Sequence, residues 1–334
     1  MTIVYTLILL ISFYGLSKGS DFLVDGAASI AKKFAISPLV IGLTIVAFGT
    51  SAPELIVSLS STLNGNGQIA VANVLGSNIL NILLILGLCA CIRPVIVKSS
   101  TVWKEIPLVI AAAISVLFLG FADTFKGFNI QTFSSLNFDE ITGYLSVAQG
   151  IVLLTFFVIY IYYNLGIAKK NYTEENQSES SQNLTTTKSI FYVVLGLGTL
   201  ILAGQVAVTS AVEIAKTFAI SDRIIGLTIV SIGTSLPELV TSVKATIKGQ
   251  QDIAIGNIVG SSIFNVFLVL GLSSLFGVLK LSSGELIDSI IAIVAALILF
   301  VSIFVIKRSQ IGKAEGVFMV CTYFVYVSYL IVGK

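Results

Sequence analysis

Residues 42–88 read GLTIVAFGTSAPELIVSLSSTLNGNGQIAVANVLGSNILNILLILGL, and residues 226–272 read GLTIVSIGTSLPELVTSVKATIKGQQDIAIGNIVGSSIFNVFLVLGL. The two stretches align without a gap at a fixed offset of 184, and 25 of 47 positions are identical. Chance does not produce such an alignment, so the chain contains an internal duplication. Phe34-Ala35-Ile36-Ser37 recurs as Phe218-Ala219-Ile220-Ser221 and carries the match upstream.

The surroundings of both copies are strongly apolar. Of 334 residues, 56% are hydrophobic and 11% charged, whereas a soluble domain carries about 25% charged residues. An ordinary cytosolic globule, a disordered chain and a nucleic-acid binder are excluded. A helix needs about 20 apolar residues to cross the hydrocarbon. Ten stretches qualify: 3–31, 36–63, 68–91, 105–122, 142–166, 189–215, 223–247, 252–276, 286–306 and 315–332. The first is not expected to be a cleavable signal, because it has no basic n-region and runs on through Lys18-Gly19-Ser20-Asp21. The expected fold is an all-α polytopic membrane protein of ten transmembrane helices. Residues 1–166 form the first five-helix half and 189–334 the second. An odd number per half makes the second enter from the opposite side, giving an inverted repeat, as in many secondary transporters.

Charge sets the expected orientation. Alternate loops hold 13 Lys and Arg residues (Lys32, Lys33, Arg93, Lys98, Lys104, Lys169, Lys170, Lys188, Lys244, Lys248, Lys307, Arg308, Lys313) against 5 (Lys126, Lys216, Arg223, Lys280, Lys334). The positive-inside bias places the richer set in the cytoplasm and both termini outside the cell membrane. The polar segment 167–188 is then a flexible cytoplasmic linker, and its sequons at Asn171 and Asn183 are chance. Cys89, Cys91 and Cys321 are odd in number and lie in apolar stretches, so no disulfide framework is expected. Histidine is absent, which removes imidazole as ligand or base.

The chemistry concentrates in Gly49-Thr50-Ser51-Ala52-Pro53-Glu54 and Gly233-Thr234-Ser235-Leu236-Pro237-Glu238. Each run breaks a long apolar helix. Proline has no N–H and clashes with the preceding turn, and unpaired backbone at membrane depth is tolerated only where protein or a wet cavity receives it. Glu54 and Glu238 sit mid-helix, where charge is expensive and functional. Ala47, Thr50, Ser51 and Glu54 share one face at i, i+3, i+4 and i+7. The second copy supplies Ser231, Thr234, Ser235 and Glu238. The helices that follow supply Ser77 with Asn81 and Ser261 with Asn265.

Folded together, the copies make a cage of carboxylate, amide, hydroxyl and carbonyl oxygens. Such a cage suits alkali and alkaline-earth cations rather than zinc or copper. Calcium takes six to eight oxygens in flexible geometry, which fits better than the strict octahedron of magnesium. Two carboxylates are neutralised by one Ca²⁺ or by two or three Na⁺. A site costly when empty and satisfied by either load moves only when filled, as exchange requires. Three Na⁺ for one Ca²⁺ would carry one net charge per cycle, which voltage drives with about 2.3 kcal/mol per 100 mV.

Plainer readings compete. Small residues in membrane helices serve close packing, prolines can be simple kinks, and a lone glutamate could pair with Lys18. None explains the same six-residue break twice at inverted positions. Lys18 and Asp21, three apart, read as a local ion pair; Gln149 and Gln205 read as helix–helix hydrogen bonders; Asn73 and Asn257 read as support around the cage.

The paired GTS-x-PE runs, each followed by G-S-[NS]-I-x-N, resemble the α-repeats of the cation/Ca²⁺ exchanger superfamily, and most of all its prokaryotic Na⁺/Ca²⁺ exchangers. The likeness spans nearly the whole chain. It implies an antiporter working by alternating access, with Glu54 and Glu238 bridging Ca²⁺ and the carbonyls of Thr50 and Thr234 assisting. It implies flanking Na⁺ sites at Ala47, Ser51, Ser77, Ser231, Ser235 and Ser261, and a first and sixth helix that slide over the other eight. Some members, the potassium-dependent exchangers among them, carry Asp where this chain has Asn265. With Asn at both Asn81 and Asn265, K⁺ co-transport is not expected.

The function expected is Ca²⁺ export driven by inward Na⁺, by a monomer in the lipid bilayer with no cofactor. No Gly-rich phosphate loop beside a Lys suggests nucleotide binding, so the protein is expected to be a secondary transporter and not an enzyme. The alternative within transport is H⁺/Ca²⁺ exchange, disfavoured because the flanking hydroxyls offer oxygens that a proton does not need. A cation channel with the two glutamates as its selectivity ring and a non-transporting scaffold are the rivals from other classes. A channel would pass Ca²⁺ with no counter-ion, and a scaffold would bind none.

Overall fold

The computed structural model describes residues 2–97, 99–124, 141–168, 184–218, 231–306 and 310–332. Twelve helical pieces appear among them. They are α1 (Thr2–Lys33), α2 (Pro38–Thr50), α3 (Ala52–Leu63), α4 (Gly67–Ile92), α5 (Ser99–Gly120), α6 (Val147–Ile167), α7 (Thr186–Thr217), α8 (Ser231–Thr234), α9 (Leu236–Ile247), α10 (Gln251–Phe276), α11 (Ser283–Phe304) and α12 (Lys313–Val332). Seven of these are long and apolar enough to cross a membrane, and the bent pair α2–α3 makes an eighth. These eight match expected spans to within a few residues. The expected span at 105–122 falls largely within α5, and that at 223–247 is described only from Ser231 onward, as α8 and α9. Residues 169–183 of the expected linker 167–188, with both sequon asparagines, lie outside the described residues, and its last residues, from Thr186, already belong to α7.

The two halves interlock rather than lie side by side. α1 packs along α7, α4 against α12, α6 against α10, and α5 against α11. Two short antiparallel ribbons also cross between halves. One pairs β1 (Val95–Ile96) with β4 (Gln310–Ile311), and the other pairs β2 (Gly143–Leu145) with β3 (Leu279–Leu281). Each strand that follows a repeat copy therefore pairs with a strand from the other half. A backbone edge at a sheet end is satisfied this way without a larger sheet.

Burial grades from centre to rim. In α10, 94% of the apolar window is buried and in α4 72%, against 22% in α6. Ile3, Val4, Leu7, Leu10 and Ile11 of α1, like Val158, Ile159 and Tyr162 of α6, are exposed, as helices facing lipid must be. The centre is drawn tight by small residues. A Cβ on Gly260 of α10 would sit 2.7 Å from the Ala47 Cβ and 2.8 Å from the Leu43 carbonyl. α10 therefore touches the backbone of α2, and that contact fixes the depth of Ser261.

Matching local signals end matching helices. Gly65 after α3 and Gly249 after α9 have φ of +79° and +75°, and each lies 184 residues from the other. Asn66 N donates to Ser61 O at 2.8 Å and Gln250 N to Ala245 O at 2.8 Å, while Gly65 N and Gly249 N reach Thr62 O and Thr246 O. Both are Schellman ends, in which glycine takes the left-handed conformation that other residues resist. Gln149 proves to be a capping residue, not a helix–helix link. Its side chain accepts from Ser146 N at 3.0 Å and from the Ser146 hydroxyl, just as Glu285 caps with Ser282. Cys89, Cys91 and Cys321 are all free thiols.

Candidate functional site

The six-residue breaks form as their prolines dictate. Ser51 (φ −81°, ψ 5°) and Ser235 (φ −90°, ψ 9°) leave helical geometry, and each is followed by a new helix with proline in its first two positions. Proline belongs there because the first N–H groups of a helix have no internal acceptor. α2 and α3 meet at 44°. Glu54 and Glu238 fall in the first turns of α3 and α9, where the positive end of the helix dipole favours a carboxylate.

The two glutamates meet in the interior, each fully buried. Their hydrogen bonds cross between halves. The Ser51 hydroxyl donates to Glu238 Oε1 at 3.1 Å, and the Ser235 hydroxyl donates to Glu54 Oε1 at 2.9 Å. Each acid also takes a longer bond from its own half, Ser77 to Glu54 at 3.4 Å and Ser261 to Glu238 at 3.5 Å. Ser235 further contacts Ser77 at 3.0 Å. The serine of one break thus grips the acid of the other.

The threonines beside this ring are held by the asparagines expected to support it, and Thr50 Oγ1 also lies 3.4 Å from Ser261 Oγ. Thr50 Oγ1 donates to Asn257 Oδ1 at 2.9 Å, and Thr234 Oγ1 to Asn73 Oδ1 at 3.3 Å. Asn73 Nδ2 donates in turn to Ser58 Oγ at 3.2 Å, and Asn257 Nδ2 to Ser242 Oγ at 3.0 Å. Ser58 and Ser242 were not singled out from sequence. Their signal was available, since each lies one turn after its glutamate and they match at offset 184.

Among the described residues, nine buried side-chain atoms lack a hydrogen-bond partner. Five belong to the expected cage: Glu54 Oε2, Glu238 Oε2, Asn265 Oδ1 and both amide atoms of Asn81. Buried polar groups are almost always paired, because desolvation without a partner costs kilocalories. Four of these five atoms are oxygens that a cation would satisfy; the fifth, Asn81 Nδ2, is a donor. Ala47, Thr50, Ser51, Ser77, Thr234, Ser235, Ser261, Asn81 and Asn265 are all buried. The side chain of Ser231 lies outside the description. No group of three or more His, Cys, Asp or Glu side chains converges among the described residues; the carboxylates joined through the crossed serine bonds are two, Glu54 and Glu238.

The expected Lys18–Asp21 pair does not form. Lys18 Nζ lies 5.8 Å from the Tyr14 ring centre. Asp21 turns to α9 instead, meeting Lys244 at 3.4 Å and Lys248 at 3.1 Å, and Asp25 meets Lys248 at 2.6 Å. Residues three apart on a helix are neighbours, but packing of α1 on α9 offers two amines.

A family model described as sodium/calcium exchanger protein matches residues 4–166 and 188–332. The inner membrane protein YrbG of Escherichia coli (strain K12) is 34% identical over 338 residues, covering 97% of this chain and 96% of its own. The sodium/calcium exchanger MaX1 of Methanosarcina acetivorans is 33% identical over 352 residues, covering 99% of both. A solved structure of the sodium-calcium exchanger NCX_Mj, soaked with 2.5 mM Na⁺ and 0.1 mM Ca²⁺, superposes with a TM-score of 0.80 at 29% identity and covers 99% of each chain.

Proposed function

The chain belongs to the sodium/calcium exchanger protein family and is a multi-pass membrane protein, and on that premise we propose that it is a secondary antiporter that exports Ca²⁺ in exchange for Na⁺ by alternating access. The observation that carries the reading is the reciprocal pair of buried acids, each bonded by the other half's serine and each keeping one oxygen without a partner. One Ca²⁺ between Glu54 and Glu238 neutralises both carboxylates and takes up both unpartnered oxygens, in a coordination that calcium tolerates. Ser51, Ser77, Ser231, Ser235 and Ser261, the carbonyls of Ala47, Thr50 and Thr234, and the amides of Asn81 and Asn265 complete the ligand set for Na⁺. Both ions are cargo, and no cofactor is required.

The proposed topology is ten crossings in two inverted halves, 1–166 and 189–334, joined by a cytoplasmic linker at 167–188, with both termini outside the cell membrane. The charge asymmetry of 13 against 5 supports it. A monomer suffices, because one chain supplies both acids. Three Na⁺ per Ca²⁺ would make transport electrogenic.

Reconstituted vesicles test this directly. An imposed Na⁺ gradient should drive ⁴⁵Ca²⁺ against its own gradient, and a potassium–valinomycin potential should change the rate. Strong flux driven by a pH jump in sodium-free buffer would assign the protein to proton exchange. Flux with no counter-ion at all would assign it to the channels.

A further inference from the structure

Beyond the Ala47–Ser231 pair, the twofold correspondence around the cage breaks at a second pair of positions. Offset 184 matches Asn78 of α4 with Ser262 of α10. Asn78 Nδ2 donates to the backbone carbonyl of Ser262 at 3.0 Å. A carbonyl can only accept, so this bond fixes which end of the Asn78 amide faces it. The other end, Oδ1, accepts from Asn265 Nδ2 at 3.1 Å. An amide oxygen can only accept, and the one donor of the Asn265 side chain is its Nδ2, so Asn265 must spend its nitrogen on Asn78. Its Oδ1 is thereby turned away from Asn78, and it is buried there without a partner.

The opposite copy has no such chain. The Ser262 hydroxyl donates to the Ile258 carbonyl of its own helix at 2.9 Å, and both amide atoms of Asn81 are unpartnered. The two asparagines look alike in sequence but differ in what they can show a cation. One is locked with its oxygen available, and the other has neither end fixed.

We propose that Asn78 is a positioning residue that holds Asn265 as an oxygen donor to the transported cation, so that the two ends of the cage are unequal by construction. The inference rests on the reading of this cage as the cation site. An amide turned the wrong way presents N–H to a cation and repels it, so losing the lock weakens binding without removing any ligand. A carboxylate at the same position has two equivalent oxygens and needs no lock. Against a carboxylate, the Asn78 oxygen is even unfavourable.

A double-substitution cycle on the full chain in proteoliposomes separates these effects. Asn78→Ala should raise the half-saturating Ca²⁺ concentration by about fivefold to tenfold, within the range of one hydrogen bond, with a smaller change in maximal rate. On an Asn265→Asp background, the same substitution should have no effect or should improve affinity. Equal losses on both backgrounds, or no shift on either, would overturn the proposal, since Asn78 would then only brace α10 or do nothing. If the alanine variant does not reach the membrane, Asn78→Ser, the residue type of the second copy, takes its place. Equilibrium ⁴⁵Ca²⁺ binding to the purified protein reads the same cycle without transport. Absent Na⁺-driven uptake by the wild type would sink the exchange reading, while the binding cycle would still decide for or against the lock.

Discussion

Asp21 and Asp25 on α1 match Gln205 and Thr209 on α7 at offset 184, and Lys244 in the last turn of α9 and Lys248 just beyond it match Ser60 in α3 and Asn64 just beyond it. On the first side, α1 is seated on α9. Lys248 bridges both aspartates, and the Ser20 hydroxyl donates to the Val240 carbonyl at 3.2 Å. On the second side, Gln205 and Thr209 line a cavity of about 320 Å³ with Pro53, Ile56, Thr234 and Pro237. One rim is closed by charge and the other is open. The centre, by contrast, keeps its correspondence down to the crossed serine–glutamate bonds. The duplication has preserved the chemistry around the two acids, while the asparagine ends of the cage and the two approaches to it have diverged. In the proposed orientation the closed approach is cytoplasmic and the open one is external.

The likeness at the centre is broken most severely by removing a charge. Glu54→Gln and Glu238→Gln should each abolish Na⁺-driven Ca²⁺ uptake, with a loss of at least roughly 100-fold. With a cation held between the two acids, removing one carboxylate breaks a buried ion pair, which costs about 3–5 kcal/mol. Equivalence of the two copies predicts similar losses. Near-normal uptake by either variant would remove that acid from the site.

The serines sharpen the comparison, because their surroundings are not quite equal. Ser235 contacts both Glu54 at 2.9 Å and Ser77 at 3.0 Å, whereas Ser51 makes one bond, to Glu238 at 3.1 Å. A hydrogen bond to a charged group is worth about 1.5–3 kcal/mol. Ser51→Ala should lower apparent Na⁺ affinity about tenfold, and Ser235→Ala by more. Competition of Na⁺ against ⁴⁵Ca²⁺ binding measures both, and a larger loss at Ser51 would reverse the ranking.

Much of this was legible before any coordinates. The repeat gave the two acids, the two breaks, and the serines and asparagines one or two turns away, because helical spacing and duplication are written in the sequence. Partner choice across 200 residues was not. Asp21 has Lys18 three positions away, yet it pairs with Lys244 and Lys248 because α1 lies against α9. Gln149 reads as a membrane-buried amide until the chain around Ser146 turns and makes it a cap. Asn78 enters the sequence reading only as the variable position of the G-S-[NS]-I-x-N run. Its role depends on which atom of Asn265 it faces, and only the carbonyl of Ser262 settles that.

The rims offer the smallest effect and the sharpest use of the comparison. The side chains of the ion-pair cluster are 20–28% exposed, and pairs open to solvent contribute about 0.2–1 kcal/mol. Lys248→Met should therefore ease separation of α1 from α9 by up to about fivefold and leave the cage intact. Matched cysteines in a cysteine-free background report it. Ser20→Cys lies at the closed contact, and Gly204→Cys, its counterpart at offset 184, faces the cavity, where an added Cβ meets Pro237 no closer than 3.8 Å. Thiol labelling at position 20 should be slow and should quicken with Lys248→Met, whereas position 204 should label fast and lose accessibility as the population shifts. Transplanting the charges, with Gln205→Asp, Thr209→Asp and Asn64→Lys together, should slow labelling at 204 and favour the opposite access. If neither change moves either rate, the charges merely decorate a closure set by packing, and the asymmetry of the rims has another origin.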